Sequence, residues 1–173
     1  MLTHPFGPLD GSTVGARLAA CAAALAGTAG LLSSAHATVV VFNTPIVVPN
    51  NFDGIYLNFL TGGYGSSGAA SPGWDWNPYN SGTTLSFFWN ATPSPAGGVA
   101  GTSTGPYIDM GYSAPISGAS TFAQVTAGAA TAAFQTAGTH FLGFRFWNES
   151  TNAINYGYAT LFVAGTNGFP LTI

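Results

Sequence analysis

The chain has 173 residues and a net charge of −3, and only 4% of its residues are charged. Two arginines and no lysine are too few cations to displace the counterions of a nucleic-acid backbone or to dock on an anionic lipid surface, which excludes both classes of partner. The single cysteine excludes a fold held by paired cysteines, so packing alone must hold the chain together.

The first 37 residues have the composition of a secretory leader. Arg17 precedes an apolar run at 18–32, and the segment ends in Ala-His-Ala at 35–37, with small residues at the two positions that a cleavage site requires. The run is shorter than the roughly 20 apolar residues that span a bilayer, so we expect no membrane span. We therefore predict a signal peptide at 1–37, a secreted or surface location, and one domain at 38–173.

Short apolar segments separated by turn residues follow in the first half of the remaining chain. The first of them is β-branched and interrupted by Pro45, which favours strands near a sheet edge. Glycines and serines at 62–73 predict a loop, and Pro78 predicts the end of the strand that contains it. The strands predicted in this half are 39–48, 55–60, 74–79 and 85–89.

The second half contains the strongest strand pattern. Residues 141–147 and 154–163 flank a turn-forming segment rich in Asn and Ser, which predicts a β-hairpin. Within the first arm, Leu142 and Phe144 alternate with Arg145, so the period of two places the arginine opposite the apolar face. The other segments predicted here are a loop at 93–105, two or three short strands within 107–125, a loop at 127–137 and a last strand at 169–173.

These elements together predict the fold class. The strands are short and separated by Gly- and Pro-rich turns, and no segment has a convincing amphipathic helical pattern. The alanines at 127–137 favour a helix, but the threonines and Gly128 oppose one. We therefore predict an all-β domain, an antiparallel β-sandwich or jelly roll.

Aromatic motifs give the chain a family resemblance. Residues 141–146, Phe-Leu-Gly-Phe-Arg-Phe, and 155–159, Asn-Tyr-Gly-Tyr-Ala, together resemble the final hairpin of exported bacterial proteins of the PEP-CTERM type. Residues 49–58 and 73–79 are similar to the opening segments of the same proteins. The resemblance implies a surface or extracellular β-protein. The Pro-Glu-Pro signal, membrane span and basic tail of that type do not occur before Ile173, so we expect release or another route of retention.

Two glycine-rich motifs match cofactor or catalytic patterns without the structural context that these need. Residues 63–68 match a dinucleotide-binding fingerprint, but the residues that follow predict no helix to meet a pyrophosphate. Residues 101–105 match a nucleophile elbow, but Pro106 contradicts the required strand, turn and helix. We predict loops at both places and no cofactor.

The titratable side chains are too scattered to predict catalysis or a metal site. His140 is the one histidine after position 37, and at a strand start we interpret it as an ordinary polar position. The carboxylates are not grouped as a glycosidase pair requires. Asp53 or Asp75 could join asparagine and backbone oxygens around calcium, but no dense acidic run supports this. We therefore predict no enzyme activity and no metal site.

The aromatic segment at 74–79 is the best candidate for a binding surface. Rings on a sheet face stack on the C–H faces of sugars, and nearby polar side chains exchange hydrogen bonds with hydroxyls. The alternative is that the same rings fill the core, which aromatic residues of a β-sandwich do more often. The candidate ligand-binding residues are Trp74, Asp75, Trp76, Asn77, Tyr79 and Trp89.

Arg145 is the one cation after position 37. It can stack on neighbouring rings or pair with a carboxylate, and a partly buried cation without such contacts is costly. We predict a structural clamp formed by Arg145, Trp147, Tyr156 and Tyr158, with ligand contact as the second interpretation.

Two functions remain open. The first is a structural or matrix-type surface protein whose strands associate edge to edge, because edge lysines commonly prevent such pairing and the chain has none. The second is a non-catalytic carbohydrate-binding module that uses the segment at 74–79. The expected partners are therefore a second copy of the chain or an extracellular polysaccharide.

Overall fold

The computed structural model describes residues 41–90, 92, 97–102, 105–124 and 128–173. The predicted signal peptide at 1–37 lies outside these residues, as do positions 39–40 of the first predicted strand, 93–96 and 103–104 of a predicted loop, and positions 125 and 127. Within the described residues, no helix is long and apolar enough to cross a bilayer.

Ten β-strands and one 3₁₀ helix, Gly128–Phe134, form the regular structure of the described residues. Most strands are short because Gly, Pro and Asn interrupt the apolar pattern, whereas the two long strands belong to the hairpin whose arms alternate without a break. The strands are β1 (Val47–Val48), β2 (Tyr56–Leu57), β3 (Tyr64–Gly65), β4 (Trp76–Asn80), β5 (Leu85–Trp89), β6 (Gly98–Ala100), β7 (Phe122–Ala123), β8 (Gly138–Asn148), β9 (Ala153–Val163) and β10 (Leu171–Thr172).

The strands form two antiparallel sheets. Across the described residues, the large sheet has the order β1-β10-β9-β8-β6-β7 and the small sheet the order β3-β2-β4-β5. Trp76 and Phe87 from the small sheet share one buried cluster with Leu142 and Leu161 from the large sheet. Burying each such side chain contributes about 1.5–3 kcal/mol. The predicted all-β antiparallel sandwich is confirmed.

The hairpin of β8 and β9 confirms the strongest sequence pattern. The two strands of 11 residues pair over their whole length. Leu142, Phe144 and Phe146 are buried, and Arg145 is half-buried on the opposite face, as the period of two predicts. At the turn, Asn152 adopts a φ of 51°, a left-handed conformation that Asn tolerates better than most residues.

One edge of the large sheet is formed by β1, which pairs with β10. Beside this pair, Ile46 and Ile173 exchange two backbone hydrogen bonds, each of 2.9 Å. These bonds extend the pairing by one residue and place Ile173 at the end of β10, beside the edge strand.

Three segments predicted as loops contain regular structure. Tyr64–Gly65 forms β3 within the predicted loop at 62–73, where it pairs with β2. Gly98–Ala100 forms β6, which lies between β7 and β8, within the predicted loop at 93–105. Its glycine-rich sequence does not favour a strand, so pairing on both sides decides its conformation. The 3₁₀ helix occupies most of the predicted loop at 127–137, and Thr131 there donates a hydrogen bond to the carbonyl of Leu85.

Pro78 lies inside β4 instead of ending it, contrary to the prediction. Its carbonyl accepts a hydrogen bond from Ile55 N at 3.3 Å, but proline has no N–H to return to the Ile55 carbonyl. The side-chain amide of Asn77 donates to that carbonyl at 2.8 Å. The preceding asparagine therefore supplies the hydrogen bond that the proline lacks.

Residues 110–120, which we call the strap, cross the outer face of the large sheet. A Cβ at Gly143 on β8 would lie 2.3 Å from Met110 Sδ and from Ile116 Cδ1. The strap side chains therefore rest directly on the strand, in space that only glycine leaves free.

Candidate functional site

The outer face of the small sheet carries a cluster of aromatic side chains around Asn77. Asn77 lies on β4 opposite Phe88 on β5, and the register of β2 places Tyr56 on its other side. Tyr79 lies on the same face because alternate residues of a strand point the same way. Phe52, before β2, packs edge-on against Tyr79 with the ring centroids 5.7 Å apart.

These five side chains line a pocket of about 160 Å³, which we call the aromatic pocket. Four of them are aromatic, the fifth is Asn77, and none carries a charge. Pockets for drug-sized ligands have volumes of roughly 300–1,000 Å³, so this one admits only a small group. Its lining offers rings for stacking and polar groups for hydrogen bonds, but no charged side chain for an ionic contact.

Trp74, which precedes β4, packs against two of the side chains that line the aromatic pocket. Its ring centroid lies 4.9 Å from that of Tyr56 and 5.5 Å from that of Phe88. Asn90 Nδ2 donates to the Trp74 carbonyl at 2.9 Å. A Cβ at Gly68 would lie 2.6 Å from Trp74 Nε1, so this glycine lets the loop backbone support the indole ring. Trp74 is therefore fixed through both its backbone and its ring.

Asn77 forms the floor of the aromatic pocket, with an exposed fraction of only 3%. Its Nδ2 donates to the carbonyls of Asp53, at 2.9 Å, and of Ile55, at 2.8 Å. Both amide hydrogens are thus used, which fixes the orientation of the amide. Among the described residues, Oδ1 accepts no hydrogen bond, so the floor presents an acceptor.

Ser86 adds a second polar group beneath the aromatic cluster. It lies on β5 opposite Tyr79 and, two residues before Phe88, on the same face of the sheet. The side chain is fully buried, and its hydroxyl has no hydrogen-bond partner among the described residues. Buried polar groups without partners are rare in folded proteins. Their presence here distinguishes this face from an ordinary apolar surface.

Two of the six predicted ligand-binding residues, Asn77 and Tyr79, line this pocket, and a third, Trp74, packs against its Tyr56 and Phe88 side chains. Trp76 and Trp89 belong instead to the core, with exposed fractions of 0% and 4%, and their rings stack 5.8 Å apart. These two rings are unavailable for stacking at the surface, so their assignment to the platform is corrected to the core alternative.

Sequence reasoning missed Phe52, Tyr56 and Phe88. A signal for Phe88 existed, because the alternation within 85–89 places it opposite Phe87 and Trp89. Phe52 and Tyr56 lie in or beside a strand of only two residues, where no alternation can be read.

Asp75 is the sixth predicted residue, and it lies behind the pocket wall rather than in the pocket. Its exposed fraction is 4%, and its Oδ2 accepts a hydrogen bond from Phe59 N at 2.8 Å. Burial raises the pKa of Asp75 to about 7, the Glu149 carboxylate adds to the rise, and the Phe59 hydrogen bond opposes it. The described residues contain no group of three or more His, Cys, Asp or Glu side chains that could hold a metal ion.

Arg145 forms a clamp with different partners from those predicted. Its guanidinium carbon lies 5.1 Å from the ring centroid of Phe122, and its Nε donates to the Gly97 carbonyl at 3.3 Å. Tyr156, opposite Arg145 on β9, packs its ring 5.7 Å from that of Phe122. Phe122 therefore takes the stacking position that the sequence assigned to Trp147, Tyr156 and Tyr158.

His140 joins the start of the strap to β8. Its Nδ1 lies 2.8 Å from Asp109 Oδ2, and its Nε2 lies 2.8 Å from the Thr136 carbonyl. Asp109 Oδ1 also accepts a hydrogen bond from Phe141 N at 2.8 Å. The histidine is buried and engaged at both ring nitrogens, so its role here is structural.

No protein-family model matches the chain, and no match was found among curated proteins or solved structures. The resemblance to PEP-CTERM proteins therefore stays a prediction that depends on the short aromatic motifs alone.

Proposed function

We propose that the protein is a non-catalytic carbohydrate-binding protein of the cell exterior that holds a neutral sugar in the aromatic pocket. The observation that carries this proposal is Asn77, whose Oδ1 is a free acceptor at the floor of a pocket with aromatic walls. A sugar ring offers C–H faces to aromatic rings and hydroxyl donors to an acceptor, so it matches both features.

The charge distribution supports a neutral ligand. The pocket lining has no charged side chain, and the nearby Asp53, whose carbonyl holds Asn77, is negative and exposed. An anionic glycan would meet repulsion without a compensating cation. Neutral hexose or pentose glycans are therefore favoured over uronic-acid or sulfated ones.

The pocket floor supports a polar ligand over an apolar one. An alkyl chain or an apolar protein side chain would cover Asn77 Oδ1 without donating to it. Leaving a buried acceptor unpaired costs about 1–3 kcal/mol, a large part of what so small a pocket can supply. A hydroxyl group restores this hydrogen bond.

A glycan screen followed by calorimetry of one variant pair tests the proposal. We expect neutral glycans to bind and polygalacturonate to bind weakly or not at all. Phe88→Ala should weaken binding about tenfold, because it removes a stacking ring. The matched control is Phe162→Ala, which removes a phenylalanine of similar exposure, 54% against 45%, from β9 of the large sheet.

Two outcomes contradict this function. One is the absence of binding to every neutral glycan in the screen by a folded protein. The other is an equal loss of binding in the Phe88 and Phe162 variants, which would place the ligand elsewhere or make the interaction non-specific.

The sheet edges give less support to the structural alternative, edge-to-edge association. In the described residues, the edge strands β1, β3 and β7 have two residues each. At the longer edge, β5, the Leu85 amide already donates to the Asn167 carbonyl and the Leu85 carbonyl accepts from Thr131. Short and covered edges leave few unpaired groups for another chain. Sedimentation at rising concentration distinguishes the two functions, and we expect a monomer.

A further inference from the structure

We propose that His140 and Asp109 form a proton-dependent latch, which holds the strap on the large sheet while the histidine ring is doubly protonated and loosens it when the ring loses a proton. This inference is independent of the proposed glycan site, because the latch lies on the large sheet. It follows from the chemistry of the two atoms that face the ring nitrogens.

Both ring nitrogens of His140 face oxygen atoms. Nδ1 lies 2.8 Å from Asp109 Oδ2, and Nε2 lies 2.8 Å from the carbonyl oxygen of Thr136. A carbonyl and a carboxylate only accept hydrogen bonds, so each nitrogen needs a hydrogen of its own. Neutral imidazole has one N–H, whereas the imidazolium has two. The two contacts therefore fit the imidazolium, and a neutral ring would leave one nitrogen lone pair against an oxygen.

Asp109 is placed to act as an acceptor through both of its oxygens. Its Oδ2 faces the histidine ring, and its Oδ1 accepts a hydrogen bond from Phe141 N at 2.8 Å. Its side chain is 33% exposed, so water also reaches the carboxyl group. Accepting at both oxygens is the role of an ionised carboxylate. The latch is therefore an ion pair between a buried imidazolium and a partly exposed carboxylate.

The other groups that surround the His140 ring are apolar. Phe134, the last residue of the 3₁₀ helix, packs edge-on against the ring with the centroids 5.9 Å apart, and the sequence of that helix has no ionisable side chain. Leu161 lies opposite His140 on β9. Within the part of the chain that the structure describes, Asp109 is therefore the titratable side chain that faces the ring.

The latch acts on the strap because Asp109 immediately precedes it. Asp109 forms a bridge with Leu142 on β8, and Met110 N donates to the Phe141 carbonyl at 2.9 Å. The Met110 side chain then rests on Gly143. To these backbone and packing contacts the ion pair adds a charge-assisted hydrogen bond, which is stronger than a neutral one. Its loss should let the strap open more often.

The fit to the imidazolium gives the latch a definite direction with pH. Histidines commonly change charge between about pH 5 and pH 8. The folded latch accepts the doubly protonated ring, so its contribution is present at low pH and is lost as pH rises through the titration of the ring. The strap should therefore be closed for more of the time at low pH than at high pH.

The test uses Met110 as a reporter of strap opening. Hydrogen peroxide converts an accessible methionine to its sulfoxide, and Met110 Sδ lies against Gly143 while the strap is closed. Mass spectrometry gives the oxidation rate of Met110 relative to free methionine in the same solution, and ¹⁵N NMR gives the number of hydrogens on the His140 ring. Both are measured on the wild-type protein across the pH range.

We expect the relative oxidation rate of Met110 to rise about threefold or more at the pH where the His140 ring loses one hydrogen. A rate that does not change across that step would overturn the inference. A ring that carries one hydrogen throughout the range would overturn it as well. Because both readouts come from the wild-type protein, the result does not depend on the folding of a variant.

Asp109→Asn should reverse the direction of the response. The asparagine amide donates to Nδ1, so the latch then fits the neutral ring, and Met110 should be better protected at high pH than at low pH. His140→Gln cannot gain or lose a proton, so its relative Met110 rate should be the same at every pH. The wild-type rise in either variant would assign the pH response to another group and overturn the latch.

Two matched controls separate the latch from other carboxyl groups. Asp75 titrates in the same range, because burial raises its pKa to about 7, and Asp53 is exposed. Asp75→Asn and Asp53→Asn should both keep the wild-type rise in Met110 oxidation. Loss of the rise in Asp75→Asn would show that the response comes from Asp75 and would contradict a role for the ion pair.

Discussion

The aromatic side chains on the outer faces of the two sheets have different surroundings. On the large sheet the chain covers part of its own surface, because the strap lies on Gly143 and Phe122 stacks on Arg145. On the small sheet, rings surround a pocket whose floor, Asn77, presents an acceptor. Both faces are rich in aromatic residues, and on the small sheet the rings line a cavity.

Exposed rings alone therefore do not define a site. Tyr158 and Phe162 on β9 are as exposed as Phe88 in the pocket. The difference lies in the polar groups beside the rings, since the outer face of the small sheet holds the Ser86 hydroxyl, which has no partner among the described residues, and the Asn77 side chain.

The largest loss of stability should come from a substitution on the inner side of the small sheet, and a substitution on its outer side should cost much less. Trp76→Ala removes a fully buried ring and should lower the free energy of unfolding by about 3–5 kcal/mol. Trp74→Ala removes a half-buried ring and should cost about 1 kcal/mol, with its main effect on glycan binding. Urea denaturation measures both values. Similar losses in the two variants would contradict the placement of Trp74 on the outer side of the small sheet.

A second prediction is that the stability of the protein depends on pH through Asp75, which precedes β4 of the small sheet. The pKa of Asp75 is about 7 in the folded state against 3.8 unfolded. The folded state therefore keeps the Asp75 proton up to a higher pH than the unfolded state. The free energy of unfolding falls as pH rises from about 4 to 7 and then levels off. Asp75→Asn has no proton to lose, so it should be more stable than wild type at pH 8, by at most about 4 kcal/mol, and similar near pH 4.

The control for this variant is Asp53→Asn, because Asp53 is exposed and only its backbone carbonyl holds Asn77. Thermal melts of the three proteins at several pH values give the comparison. A stability difference between wild type and Asp75→Asn that does not change with pH would contradict the role of Asp75.

A third prediction concerns the covered face of the large sheet. Gly143→Ala should place a methyl group 2.3 Å from Met110 Sδ and Ile116 Cδ1 and lower stability by about 1 kcal/mol, the low end of overpacking, because both atoms are the ends of flexible, half-buried side chains that can move aside. Glycan binding should not change, because the pocket lies on the other sheet. Gly111→Ala is the matched control, since a Cβ there meets nothing within 4 Å. A loss of glycan affinity in the Gly143 variant would contradict the independence of the two faces.

The smallest effect is expected at Arg145. Arg145→Met keeps the apolar stem but removes the cation from the Phe122 ring and the donor from the Gly97 carbonyl. At a half-buried position the cation–π contact contributes about 0.5–1 kcal/mol, so urea denaturation should show a loss of that order. A loss several times larger would indicate a buried partner that the Phe122 contact does not explain.

The sequence predicts the fold best where the pattern of apolar residues lies within a single strand. The alternation in 141–147 gave the correct inner and outer faces of β8, and the apolar run at 85–89 matched β5. Gly98–Ala100 was not predicted as a strand because β7 and β8 determine it through pairing. The sequence predicted that the strand ends at Pro78. In the structure the strand continues, because Asn77 donates a hydrogen bond to the carbonyl of Ile55. Ile55 lies 22 positions before Asn77, so the local pattern does not reveal this contact.

The candidate site was predicted only in part, because the alternation within a strand does not describe residues that lie outside it. Trp74 and Trp76 are two residues apart, which suggests a shared face, but β4 begins only at Trp76. Trp74 precedes the strand, so the alternation does not apply to it, and the two rings lie on opposite sides of the sheet. Phe52 reaches the pocket from a turn, which single-sequence periodicity does not describe.

The pairing of Ile46 with Ile173 has a practical consequence for surface-based assays. A linker joined after Ile173 leaves the molecule at the end of β10 in the large sheet, in the layer that does not carry the aromatic pocket. Protein immobilised through that position should present the mouth of the pocket to the solution. The attachment point therefore suits biosensor chips and bead-based capture of glycans.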